Sequence, residues 1–243
     1  MRLSVQLYTL RDPLAQDLEG TLSKVRAIGL EYVELAGLNG RTATEWRTML
    51  EGLGLKVSGA HIGVDALRDD FEVTLHDCRE IGIQTVIVPW MGPEAGSGGW
   101  DEVGRALEPI ARKFDAEGIR FAYHNHAHEF EGDGLDKLFG ATDPALVLAE
   151  LDLAWVQIGG QDPAEYLRKF GRRAPLVHLK DYDPAQSPQW RPAGQGVVDW
   201  DSVLAVCDEV GVEYGAIELD QSPGDPVEAV RESYEFFAAK GLA

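Results

Sequence analysis

The sequence predicts an α/β protein built as one closed (β/α)8 barrel, and two patterns carry that reading. Eight short runs rich in Val, Ile, Leu and Tyr recur at 3–7, 32–35, 57–60, 85–88, 121–123, 146–151, 176–179 and 216–219. Between them lie stretches with helical spacing, such as Leu18, Leu22, Val25 and Ile28, or Val103, Leu107, Ile110, Ala111 and Phe114. Gly29, Gly54, Gly82, Gly118 and Gly211 each stand where a helix would end and a strand begin, the position that calls for a positive φ. This repeated punctuation implies one βα unit used again and again. An open doubly wound sheet would more often carry a Gly-rich phosphate fingerprint after its first strand, and none stands there.

Function on such a barrel belongs at the C-terminal ends of the strands, so the residues that close each run matter most. The first run ends on Gln6 and Tyr8, the second delivers Glu34, and the third ends at His61. Pro89, which cannot donate to a strand ladder, stops the fourth before Trp90 and the Gly- and Pro-rich stretch 92–99. The fifth leads into His124, Asn125, His126, Ala127, His128 and Glu129. The sixth ends near Asp152, the seventh carries His178, Lys180 and Asp181 into a second loop at 184–196, and the eighth brings Glu218 and Asp220. Both Gly- and Pro-rich stretches read as long βα loops rather than linkers, so residues 1–243 are expected to form one domain.

Bulk composition narrows the function. With 44% hydrophobic and 26% charged residues, the 243-residue chain is an ordinary folded protein. Its formal charge of −19 argues against nucleic acid or an anionic membrane as partner, since phosphate binding needs clustered Lys and Arg. An acidic field concentrates divalent cations, although acidic surfaces more often serve only solubility. Cys78 and Cys207 fall in helical stretches without CxxC spacing, which predicts reduced, structural thiols. The opening MRLSVQLYTL reads as a strand, and no apolar run is long enough to span a bilayer, so the expectation is a cytoplasmic protein. Its oligomeric state stays open.

Histidine is scarce, yet five of six lie at strand ends and only His76 falls inside a helical stretch. Imidazole and carboxylate together suit Mn2+, Mg2+, Co2+ or Zn2+, and the lack of nearby Cys argues against a thiolate site. Each residue has a plainer reading. A lone His is more often a packing group, Asp152 can be a helix N-cap, Glu218 a rim salt bridge, and Lys180 and Asp181 a mutual pair. A His-rich tract can also be an unspecific surface patch. Taken together these readings weaken, because strands five to eight each send an ionisable group to one rim, where like charges repel without a cation. If the chain stays extended, His124, His126 and His128 share one direction, as ligand or base.

The stretches SVQLYTLRD, YHNHAHEF, ELDLAW, HLKD, GQGVVDW and IELDQ, in this order, resemble the sugar phosphate isomerase/epimerase group of xylose isomerase-like TIM barrels. The resemblance runs from Ser4 to the last helix. It implies one divalent metal, often Mn2+, with Mg2+, Co2+ or Zn2+ as alternatives. Matched by motif, Asp152, His178 and Glu218 are ligands, with Glu129 as the remaining carboxylate. The resemblance also implies that His126 acts as acid or base, that Glu129 and Glu218 double as bases, and that His61, Lys180 and His124 contact a small sugar-like substrate. Arg191 is the residue to suspect for a phosphate. Gln195 departs from the acidic residue many relatives carry between these glycines, which unsettles transfer of a particular substrate.

The expected chemistry is proton transfer beside a carbonyl through a metal-stabilised enediolate. Return of the proton to the adjacent carbon makes an isomerase, and return to the opposite face makes an epimerase. Loss of a neighbouring hydroxyl makes a dehydratase. An endonuclease-like rival would need several metals and a basic surface, which the charge opposes. A noncatalytic sugar-binding barrel is the rival from another class.

Overall fold

The computed structural model describes residues 1–187 and 189–242. Pro188, within the expected loop 184–196, and Ala243, the last residue of the expected domain, lie outside the described residues.

Eight parallel strands close a barrel in the order β1 (Arg2–Gln6), β10 (Tyr214–Ile217), β7 (Leu176–Leu179), β6 (Val147–Asp152), β5 (Arg120–His124), β4 (Thr85–Val88), β3 (Lys56–His61) and β2 (Tyr32–Ala36). All eight apolar runs of the sequence are strands here. Two further short strands, β8 (Asp181–Tyr182) and β9 (Trp190–Arg191), pair antiparallel as a small ribbon after β7. The expected glycines bear out their positions: Gly54, Gly82 and Gly211 cap their helices in the left-handed region, and Gly29 and Gly118 also have positive φ. Cys78 and Cys207 are buried and unbridged. Among the described residues no helix is long and apolar enough to cross a membrane.

Strand alternation divides the core in two. Outward residues such as Val5, Val33, Val86, Tyr123, Leu151, Val177 and Ile217 pack against the helices in one large cluster. Inward residues Ile87, Ala122 and Leu176, backed by Leu148 and Tyr214, form a separate apolar plug within the barrel. Two residues further along the same inward faces, the side chains become polar: Ala122 is succeeded by His124, Leu148 by Glu150 and then Asp152, and Leu176 by His178. At about 3.3 Å per residue, two steps along a strand is one layer of a filled barrel.

In the helical layer, the helix Trp100–Ala116 lies so close to Gly134–Gly140 that a Cβ on Gly104 would sit 2.3 Å from the Leu138 carbonyl oxygen. Alanine is the better helix former by about 1 kcal/mol, but backbone blocks it here, and overpacking costs about 1–3 kcal/mol. Gly104→Ala is therefore expected to lower stability in a denaturant titration rather than raise it.

Candidate metal centre

The polar layer sits at the C-terminal mouth of the barrel. His124, Asp152, His178 and Glu218 each bring one ligand atom to within 4.8 Å of the others, and all four are buried. A second set, His61, His124, Glu150 and His178, meets the same limit and shares two rings with the first. Register explains the crowding: on neighbouring strands His124 pairs with Glu150, and Asp152 with His178.

The two oxygens of Asp152 are used differently. One carboxylate oxygen accepts from the Trp155 N–H at 2.9 Å and caps the helix Leu153–Ile158. The other lies 3.0 Å from Lys180 Nζ, but without hydrogen-bond alignment, so it is buried and unsatisfied. Lys180 is fully buried and also reaches Glu218 at 2.8 Å and Asp220 at 2.9 Å. Asp181 bonds instead to the Gly194 N–H and the Trp200 indole, so the plainer reading of a Lys180–Asp181 pair does not hold.

Glu34, Glu150, Asp152, Glu218 and Asp220 thus surround a single lysine and three imidazoles. Burial of so many carboxylates is costly unless cations compensate. Burial lifts Glu34 to about 7, helped by Glu150 beside it. Burial works against ionised Glu218 too, yet Lys180 and His178 outweigh it and hold that carboxyl well below the usual range. For His178 burial disfavours the cation, but Glu150, Glu218 and Glu34 prevail and raise it. An unsatisfied Asp152 oxygen, an excess of carboxylates and two imidazoles are donors that fit a divalent ion such as Mn2+, Co2+ or Zn2+.

A cavity of about 540 Å³ opens onto these groups, lined by Tyr8, His61, Trp90, His124, His126, Trp155, Glu218 and Asp220 among others. Trp90 is half exposed and meets His126 edge-on at 4.6 Å. Burial, reinforced by His124, holds the His126 imidazole neutral, and its Nδ1 has no partner.

Glu129, expected as a ligand, lies outside both sets: one oxygen accepts from Tyr123 Oη at 2.8 Å and the other from the His126 N–H at 2.9 Å. The 3-10 turn at His128–Asp133 folds the chain back after β5 and leaves Glu129 buried against Tyr123 and the His126 N–H. His128 bonds to the Met91 carbonyl at 2.9 Å, and its ring stacks 6.0 Å from that of His126. His124 thus occupies the place expected of Glu129. His61 lines the cavity with its Nε2 turned to Glu150 at 2.7 Å. Lys180 is held beneath the cavity, and Arg191, bonded to the Trp190 carbonyl at 2.6 Å, is not among the lining residues. Gln195 reaches Glu232 at 2.6 Å. Glu150 is absent from the residues expected on sequence, although its place two residues before Asp152 already puts it on the same face.

A model of the xylose isomerase-like TIM barrel matches residues 22–240. The chain belongs to that family. Among curated relatives, an inosose dehydratase of Geobacillus kaustophilus is 30% identical over 193 residues, covering 66% of this chain and 60% of that one. An inosose dehydratase of Clostridium beijerinckii is 24% identical over 162 residues, 58% of this chain and 54% of the relative. The chain therefore spans little more than half the length of the curated relatives it matches. Among solved structures, a sugar phosphate isomerase/epimerase from Parabacteroides distasonis superposes with a TM-score of 0.83 at 20% identity, over 98% of this chain and 93% of the other. An L-ribulose 3-epimerase gives 0.70 at 15% identity, over 98% and 93%. At such identities the superpositions establish the barrel alone.

Proposed function

We propose that this family member is a divalent-metal-dependent isomerase or epimerase of a small, unphosphorylated sugar or keto-sugar. The observation that carries the reading is the buried His124, Asp152, His178 and Glu218 set at the floor of the cavity, with an Asp152 oxygen left unsatisfied. When bound, the ion would act as a Lewis acid on carbonyl and hydroxyl oxygens of the substrate.

The chain supplies the rest. Neutral His126 faces the cavity with an unpartnered nitrogen and takes the proton from the carbon beside the carbonyl. Glu129 accepts the backbone N–H of His126 and so sets that residue against the cavity wall. Glu218, kept ionised by Lys180, serves as ligand, and Asp220 also lines the cavity. Trp90 and Trp155 offer flat apolar faces to the C–H side of a sugar ring. Among the described residues no Lys or Arg lines the cavity, and Lys180 beneath it is shared by three carboxylates, so a phosphate would find repulsion.

A dehydratase is the second reading, favoured by the inosose dehydratases among the relatives. It shares the first proton abstraction and then expels a neighbouring hydroxyl.

Elemental analysis should find one divalent ion per chain after exposure to Mn2+ or Co2+. In D2O, unphosphorylated ketoses should take up solvent deuterium faster than their phosphate esters. Protein that takes up neither ion refutes the metal reading, and faster exchange into the esters refutes the uncharged substrate. Released water with an unsaturated product would select the dehydratase.

A further inference from the structure

We infer that Glu34 and Glu150 are positioning residues, whose carboxylates flank the inward nitrogens of His178 and His124, Glu34 by a hydrogen bond and Glu150 by charge, and thereby turn the other nitrogen of each ring toward the metal position. This rests on the proposed metal centre. Each ring stands between two layers. His178 has Nε2 2.8 Å from Glu34 and 3.2 Å from Glu150, while its Nδ1 is 2.7 Å from Glu218 and 3.9 Å from Asp152. His124 has Nδ1 3.3 Å from Glu150 and Nε2 4.0 Å from Asp152. In both, the inward nitrogen meets the deeper carboxylates and the outward nitrogen meets the candidate ligands.

The bonds around Glu34 favour a proton on the inward side of His178. The Tyr8 N–H donates to Gln6 Oε1 at 3.0 Å, which leaves the Gln6 amide nitrogen facing Glu34 Oε1 at 2.7 Å. An amide NH2 can only donate, so Glu34 Oε1 accepts there, and with Glu34 ionised it accepts again from His178 Nε2 at 2.8 Å. In the unloaded chain His178 Nδ1 donates to Glu218 Oε2 at 2.7 Å, so a bound ion would take the place of that outward proton. Gly59 makes the arrangement possible: a Cβ there would lie 3.2 Å from Glu34 Oε2 and 2.6 Å from Ile87 Cδ1. His61 completes the layer from the side, 2.7 Å from Glu150 and 3.3 Å from Glu34.

The inner set also meets the geometric limit for a cation. A second ion there would need both nitrogens of His124 and of His178 to be ligands at once, and would displace the Glu34–His178 bond. Carboxylates that receive the far N–H of ligating histidines are the simpler use, and such partners are worth about 10–100-fold in metal affinity.

The test titrates Co2+ into wild type, Glu34→Gln and Glu150→Gln, tracking the visible bands of the ion, with circular dichroism to show that each variant folds. Both variants should bind about 10–100-fold more weakly with shifted bands, and Glu34→Asp and Glu150→Asp should recover part of the loss. Unchanged affinity and bands in both Gln variants, or two Co2+ per wild-type chain, overturn the inference. Nitrogen-15 spectra of histidine-labelled protein supply a readout that needs no transition metal: His178 Nε2 should carry a proton in the unloaded chain, and a bare Nε2 overturns the assignment. Wild type that binds no Co2+ defeats the proposed function, whereas wild type that binds normally beside unaffected variants defeats only this inference.

Discussion

Asp152→Asn is expected to abolish metal binding and to slow substrate deuterium exchange by about 10³-fold or more, with the helix cap kept. The two oxygens of Asp152 are used differently, and the substitution separates them. The oxygen that caps the helix Leu153–Ile158 survives as the amide carbonyl of Asn, so the Trp155 N–H keeps its acceptor. The oxygen facing Lys180 and the candidate ligands becomes an NH2 group, which has no lone pair for an ion and meets an ammonium at 3.0 Å. Lewis-acid stabilisation of developing charge is worth several kcal/mol, and about 4 kcal/mol corresponds to 10³ in rate. Asp152→Ala removes the cap as well and should add about 1 kcal/mol of destabilisation. Metal analysis, exchange rate and thermal midpoint of the two variants separate the roles. Full metal occupancy in Asp152→Asn would remove the centre from the proposal.

The barrel was legible because its strands are short apolar runs and its helices end at glycine, and both signals are local. The site was legible in the same degree as its backbone stayed regular. Asp152, His178 and Glu218 sit on or just beyond strand ends, where alternation aims side chains inward, and they meet as expected. Glu129 lies beyond β5 in the 3-10 turn and was matched by motif alone, whereas counting by twos along β5 leads to His124, which joins the set. Glu150 could have been found by that same count back from Asp152. Glu34 was seen as a strand-end carboxylate, but its pairing with His178 joins residues 144 apart in the chain, and only barrel closure brings β2 and β7 face to face. Lys180 and Asp181, adjacent in sequence, part company because consecutive residues leaving a strand point to opposite sides.

That parting leads to the second large effect. Asp181 is buried behind the mouth, and its carboxylate gathers five N–H donors: Tyr182 at 2.9 Å, Gly194 at 2.9 Å, Gly196 at 3.2 Å, Val198 at 3.2 Å and the Trp200 indole at 3.0 Å. The chain can wrap so closely because Gly196 has no side chain; a Cβ there would stand 2.1 Å from the carboxylate. Asp181→Ala leaves these donors without an acceptor, and losing one partner of such a buried charged network costs about 3–5 kcal/mol. In a domain of this size that is a fall of roughly 10 °C in thermal midpoint. Asp181→Asn should fall nearly as far, because one side of the amide would present N–H to N–H. The clasp also fixes the segment that carries Trp190, whose ring lies 4.9 Å from Lys180 Nζ and 4.8 Å from Trp155. Loosening it should therefore weaken Co2+ binding even though Asp181 touches no candidate ligand. Gln195→Ala, at the exposed tip of the same loop, should stay within about 0.5 kcal/mol of wild type. An Asp181→Asn protein as stable as wild type would show that the loop is held by its own packing and not by the carboxylate.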